Sequence, residues 1–135
     1  MTILLPARAS MTGALLICAA STLPAHALDG RIVRQLNALA PEERVEQRCD
    51  LEAMDRLRKE GDFRPDKVIA YTFSDPVGND NGLKATGAAF RSGGDWFKLK
   101  FKCETNAEGL SVIAFDYKVG SKIPREEWDK YYLYD

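Results

Sequence analysis

Two cysteines, Cys49 and Cys103, constrain this chain more than any other pair of residues. Cys49 falls on the apolar stripe of a helical pattern, with Val45, Ala53 and Leu57 at i,i+4 spacing. Cys103 falls on an alternating pattern instead. Phe97, Leu99, Phe101 and Cys103 share one parity, and Trp96, Lys98, Lys100 and Lys102 take the other. A helix and a strand whose cysteines both face inward have to pack face to face. A bridge between them closes a long loop and stabilises by about 4 kcal/mol in the chain-entropy account, less any native strain. Redox or metal roles for such a pair generally use C-x-x-C spacing or histidine partners, and neither accompanies these two residues.

The third cysteine, Cys18, and the single histidine, His26, lie in a stretch that reads as an export signal. Arg8 supplies the positive n-region, and an apolar run extends from Met11 to Leu23. Pro24 breaks it, and Ala25-His26-Ala27 places small residues where a signal peptidase reads them. A membrane anchor needs roughly 20 apolar residues, whereas this run is shorter and bounded by proline. A lipoprotein site at Cys18 would want small residues where Leu16 and Ile17 stand. The expectation is a secretory signal peptide over residues 1–27, cleaved after Ala27. A single periplasmic domain over 28–135 remains, in a compartment that permits the disulfide, with no membrane span after cleavage. Removing Arg8 from 19 basic against 20 acidic residues leaves a net charge of about −2, which argues against a nucleic-acid partner.

Local patterns fill in the domain. Leu28, Ile32, Leu36 and Leu39 recur at helical spacing. A second helix is expected from Glu42 to Glu60, with Pro41 at its first position, acids in its first turn and Gly61 as its cap. Glu52/Arg56 and Asp55/Lys59 are i,i+4 pairs in the favourable orientation. Extended patterns follow over Lys67–Phe73, Leu83–Arg91, Asp95–Thr105 and Leu110–Val119. Ser74–Gly82 reads as turn, and Ser92-Gly93-Gly94 as a hairpin. Ile113, Phe115, Tyr117 and Val119 are the expected inward set of the last strand. Pro124, Glu126 and Glu127 suggest a short C-terminal helix before the aromatic residues Trp128, Tyr131, Tyr132 and Tyr134. These aromatics either close the core as a lid or form an exposed patch, and the lid is preferred. The expected fold is α+β: two N-terminal helices on a four-stranded antiparallel sheet, a short C-terminal helix and one disulfide.

Four stretches carry a resemblance: Glu46–Asp55 (EQRCDLEAMD), Gly87–Ser92 (GAAFRS), Phe115–Gly120 (FDYKVG) and Ile123–Asp129 (IPREEWD). In this order they resemble the bacterial family catalogued as domain of unknown function 930, found mainly in rhizobia-related bacteria. The resemblance runs from about Leu39 to Asp135. It implies an envelope component. Some relatives carry the domain behind a membrane anchor and a proline-rich linker, and this chain departs from that layout. The resemblance implies no activity and no catalytic residue.

With His26 gone, Ser-His-Asp, Cys-His and histidine-based metal chemistry all lose a required group. Asp75–Gly82 has oxygen ligands but lacks the first acid and the closing glutamate of a calcium loop, so a turn is the expected reading. Neither a cofactor nor a metal is expected. Carboxylates are the remaining route to catalysis: Asp116 with Glu126, Glu127 or Asp129, as acid and base on a cell-wall glycan. Those acids equally suit helix capping and pairing with Lys118, Arg125 or Lys130. The surface that stands out is the polar face of the third strand. Lys98, Lys100 and Lys102 form a row with Trp96, and Ala85, Gly87, Ala89 and Arg91 have the parity to lie beside them. A basic trough of this kind suits an anionic envelope component or an acidic envelope protein; the plain alternative is a solvated face that guards against strand pairing. The primary expectation is a non-catalytic binding or interaction module, and the alternative is a carboxylate-dependent hydrolase acting on cell-wall glycan.

Overall fold

Helix α2 (Pro41–Glu60) sets the frame of the domain in the computed structural model, which describes residues 28–135. The expected leader, with Cys18 and His26, lies outside the described residues. Pro41 opens α2 where its missing N–H forfeits no bond, and Gly61 closes it in the left-handed region at φ 89°. Val45, Cys49, Ala53 and Leu57 are all buried. Both expected ion pairs form, Arg56 to Glu52 at 2.9 Å and Lys59 to Asp55 at 2.6 Å. A shorter helix, α1 (Gly30–Asn37), precedes it, capped by Asp29, whose carboxylate accepts from the Arg31 N–H at 2.7 Å. Arg44 ties both helices to the sheet by donating to the carbonyls of Leu36, Leu39 and Glu108 at 3.0, 3.1 and 3.1 Å.

Five antiparallel strands follow: β1 (Pro65–Ile69), β2 (Val77–Asn79), β3 (Gly82–Ser92), β4 (Asp95–Thr105) and β5 (Val112–Lys122). Their order is β1-β3-β4-β5, and β2 shares with β1 the same edge of β3. Gly93 and Gly94, at φ 60° and 81°, make the tight β3–β4 turn, which needs two left-handed residues in succession. One face of the sheet receives α2. Leu83, Ala85, Ala88, Phe90, Leu99, Phe101 and Phe115 close over its apolar stripe. The Cys49–Cys103 disulfide joins the two layers, its Cα atoms 6.0 Å apart.

The opposite face is covered at one end only. Two 3₁₀ turns, Arg125–Glu127 and Asp129–Tyr131, bring Trp128 and Leu133 with Ile123 against Trp96 and Ala89. Trp96 Nε1 donates to the Tyr134 carbonyl at 2.8 Å, and Trp128 Nε1 to the Ile123 carbonyl at 3.1 Å. A buried indole requires such a partner.

The four expected strands are present, and the structure adjusts their limits. Strand β1 stops at Ile69 rather than Phe73, because β3 bulges between Ala85 and Ala88 and its edge is lost to further pairing. Phe73 returns alone, its N–H donating to the Gly87 carbonyl at 2.7 Å. Strand β2 forms inside the stretch expected to be turn, pairing across Asp80-Asn81. Strand β5 runs later than Leu110–Val119. A second bulge sets Val112 opposite Thr105, so Val112 packs inward and Ile113 is exposed. The C-terminal helix is a pair of 3₁₀ turns.

Candidate functional site

The outer face of the sheet carries five lysines, and the register places them together. Lys102 stands opposite Lys84 on one side and Asp116 on the other, and Lys100 stands opposite Lys118. Lys98 stands opposite Ala89. Like charges directly across a strand pair are destabilising. Among the described residues, none of the five ammonium groups lies within 4.0 Å of a carboxylate. Lys98 Nζ sits 5.3 Å over the Phe73 ring. Beside it, a Cβ on Gly120 would stand 2.8 Å from the Lys98 Cβ, so only glycine leaves that side chain its place. Phe73, Thr86, Lys98, Lys100, Lys118 and Gly120 line a shallow groove of about 500 Å³.

Trp96, Ala89, Arg91 and Ala85 of the expected trough lie elsewhere. Trp96 and Ala89 are fully buried under the C-terminal turns. Arg91 is held by Asp66, donating twice at 3.0 Å, and its guanidinium sits 5.7 Å over Trp96 and 5.2 Å over Tyr134. The hydrogen bond to Arg91 keeps the Asp66 carboxyl below its ordinary pKa and raises that of Arg91 in turn. Ala85 is opposite Phe101 on the α2 side, because the β3 bulge reverses the parity of everything before it. Lys84 takes its place on the outer face. The trough therefore consists of Lys98, Lys100 and Lys102 joined by Lys84 and Lys118, without Trp96, Ala89, Arg91 or Ala85.

The alternative catalytic pair does not converge. Asp116 lies opposite Lys102 in the strand register, without an ion pair between them, whereas Glu126, Glu127 and Asp129 belong to the turns that pack by Trp96. Six residues of extended strand separate Asp116 from the end of β5, roughly 20 Å.

A second concavity was not visible in the sequence. It lies between α2, the end of β1 and the C-terminal tail, with a volume of about 620 Å³. Asp50 and Glu46 reach it from one edge of the α2 stripe, and Tyr71, Tyr131, Tyr132 and Tyr134 line it together with Lys67 and Lys130. Asp50 is only 7% exposed, and Asp50 Oδ1 has no hydrogen-bond partner among the described residues. Burial, with the Glu46 charge adding to it and Lys67 opposing, pushes the Asp50 carboxyl well above the usual carboxylate range. Glu46 is raised as well, by burial and then by Glu43. The clue available in the sequence was that Glu46 and Asp50 are four apart and flank the buried stripe.

The family model for a Domain of Unknown Function (DUF930) matches residues 36–133. The chain belongs to the DUF930 family. No curated protein and no solved structure matches the chain. The matched span of the DUF930 domain takes in α2, all five strands and the tail as far as Leu133, so it contains the disulfide, the lysine face and the tyrosine-lined cleft apart from Tyr134. Among the described residues, no helix is long and apolar enough to cross a membrane, and no three His, Cys, Asp or Glu side chains gather to hold a metal ion.

Proposed function

We propose that this DUF930 domain is a non-catalytic binding module of the bacterial envelope, exported by its leader, that takes an anionic envelope component on the lysine face of its sheet. The observation that carries this reading is the grouping of Lys84, Lys98, Lys100, Lys102 and Lys118 on one open face with no carboxylate in contact. A guard against strand pairing explains lysines on a sheet edge. It does not explain Lys98, Lys100 and Lys102, because β4 is enclosed by β3 and β5 and offers no edge. Lysines act as mobile point charges rather than bidentate forks, which suits clustered phosphate or carboxylate oxygens presented on a surface.

The test compares the wild-type protein with a Lys98/Lys100/Lys102→Ala variant on two supports: vesicles containing phosphatidylglycerol, and immobilised polygalacturonate. Retention on one of them should weaken steeply with salt, because exposed charges are screened, and the variant should lose it. Retention by the variant equal to wild type on both supports would overturn the reading.

A further inference from the structure

We infer that the cleft between α2, the end of β1 and the C-terminal tail is a second binding site, for an uncharged oligosaccharide that stacks on Tyr71 and Tyr132 and hydrogen-bonds Asp50. Three independent features converge there. Asp50 is more than nine-tenths buried, lines the cleft and, among the described residues, receives no hydrogen bond, with Oδ1 left without a partner there. A buried carboxyl is ordinarily satisfied by the fold, and one left open in a concave site calls for a ligand group or water to complete it.

The second feature is Tyr132. It is the one described non-glycine residue at positive φ, 56°, and it is 89% exposed. The left-handed turn there ends the second 3₁₀ turn and lets the Leu133 N–H return to the Trp128 carbonyl at 2.9 Å, so that Leu133 packs while the Tyr132 side chain stays outside. The backbone needs that turn but not a tyrosine, which glycine or asparagine would make with less strain, and the aromatic ring it carries lines the cleft. Tyr71, 58% exposed, lines the same cleft from the segment after β1. Tyrosines of this kind offer a flat apolar face with a polar tip, which matches the mixed C–H and hydroxyl surface of a pyranose.

The third feature is the charge pattern, which selects an uncharged ligand. A cation would find two of the ring faces already occupied by the protein's own amines and guanidinium: Lys130 Nζ lies 5.1 Å over Tyr131, and Arg91 lies 5.2 Å over Tyr134. Lys67 and Lys130 on the wall would also repel it. An anion would meet Glu46 and Asp50. The walls thus offer acceptors from the two acids and donors from the two lysines, with the Gln47 amide and Thr72 hydroxyl able to do both. A polyhydroxyl ligand that both donates and accepts meets all of these groups without carrying a charge of its own.

The experiment is calorimetric titration of the protein with three neutral tetrasaccharides, chitotetraose, cellotetraose and maltotetraose, and with tetramethylammonium as the cationic competitor. At least one sugar should bind, with an affinity little changed by salt, and tetramethylammonium should neither bind nor compete. Tyr132→Gly and Tyr71→Ala should each weaken binding roughly tenfold, about 1.4 kcal/mol. Tyr132→Gly should leave Tm unchanged or raised, since glycine accepts the left-handed backbone freely. Asp50→Asn, which keeps the shape of the side chain, should weaken binding without unfolding the domain. Silence from all three sugars, wild-type affinity in both tyrosine variants, or displacement by tetramethylammonium would each overturn the assignment. The Lys98/Lys100/Lys102→Ala variant should bind the sugar as wild type does, which separates this site from the lysine face.

Discussion

The two faces of the sheet are closed by different means. On one, a twenty-residue helix lays an apolar stripe along the strands and is fastened to β4 by a disulfide. On the other, a short tail of 3₁₀ turns covers one end through Trp128 and Leu133, with no covalent tie, and leaves the remainder to lysines. The first face is a finished core. The second is part core and part working surface, and both candidate sites involve elements of that second arrangement: the lysine groove starts where the tail stops, and the tail itself supplies one of the three sides of the tyrosine cleft.

The sharpest way to break the comparison is to remove the weaker cover. Truncation after Gly120 deletes Ile123, Trp128 and Leu133 and leaves Trp96 uncovered. Burial of side chains of this size stabilises by about 1.5–3 kcal/mol each, so the truncated domain should lose about 5 kcal/mol or more and unfold at ambient temperature. Circular dichroism of the truncated protein checks this; an unchanged melting temperature would show that the tail is an ornament. Next in size is the disulfide. A Cys49→Ser/Cys103→Ser variant should lose about 4 kcal/mol, because the unfolded chain regains the freedom that the bridge withholds. Urea denaturation of the oxidised protein and the variant measures the difference directly.

A smaller effect tests the boundary between core and cleft. The Asp50 carboxyl has its pKa raised by burial. Between its unfolded and folded pKa values the native state therefore binds more protons than the unfolded state, and stability falls as pH rises through that window. Asp50→Asn removes this dependence. Its Tm should exceed that of wild type at mildly alkaline pH, and the two should converge in acid below the unfolded carboxylate pKa. Parallel Tm curves for the two proteins across that range would show that Asp50 ionises without cost.

The finished core was the more legible of the two faces. Helix α2 announces itself through Pro41, Gly61 and the Val45–Cys49–Ala53–Leu57 spacing, all of them local signals, and the Cys103 alternation supplies the opposite layer. What the sequence withheld was non-local. Trp96 has the parity of the lysine row, yet it is buried by residues some thirty positions later in the chain, which no period in β4 can reveal. The bulges in β3 and β5 each shift parity by one residue, which is why Ala85 moved inward and Ile113 moved out. The tyrosine cleft is assembled from three separate segments, so only the folded chain brings Asp50 and Tyr132 to the same cavity.

The placement of the disulfide also governs what happens if the backbone is cut. Cys49 and Cys103 bracket β1, β2, β3 and the exposed stretch from Ser74 to Asn81. A protease that clips that stretch severs the chain without releasing either half, since the fragments stay bonded through the centre of the core. The bridge still ties α2 to β4 in the nicked molecule, which separates into two polypeptides only when a reductant reaches it. In a compartment rich in proteases and poor in thiols, such a domain can outlast its own cleavage.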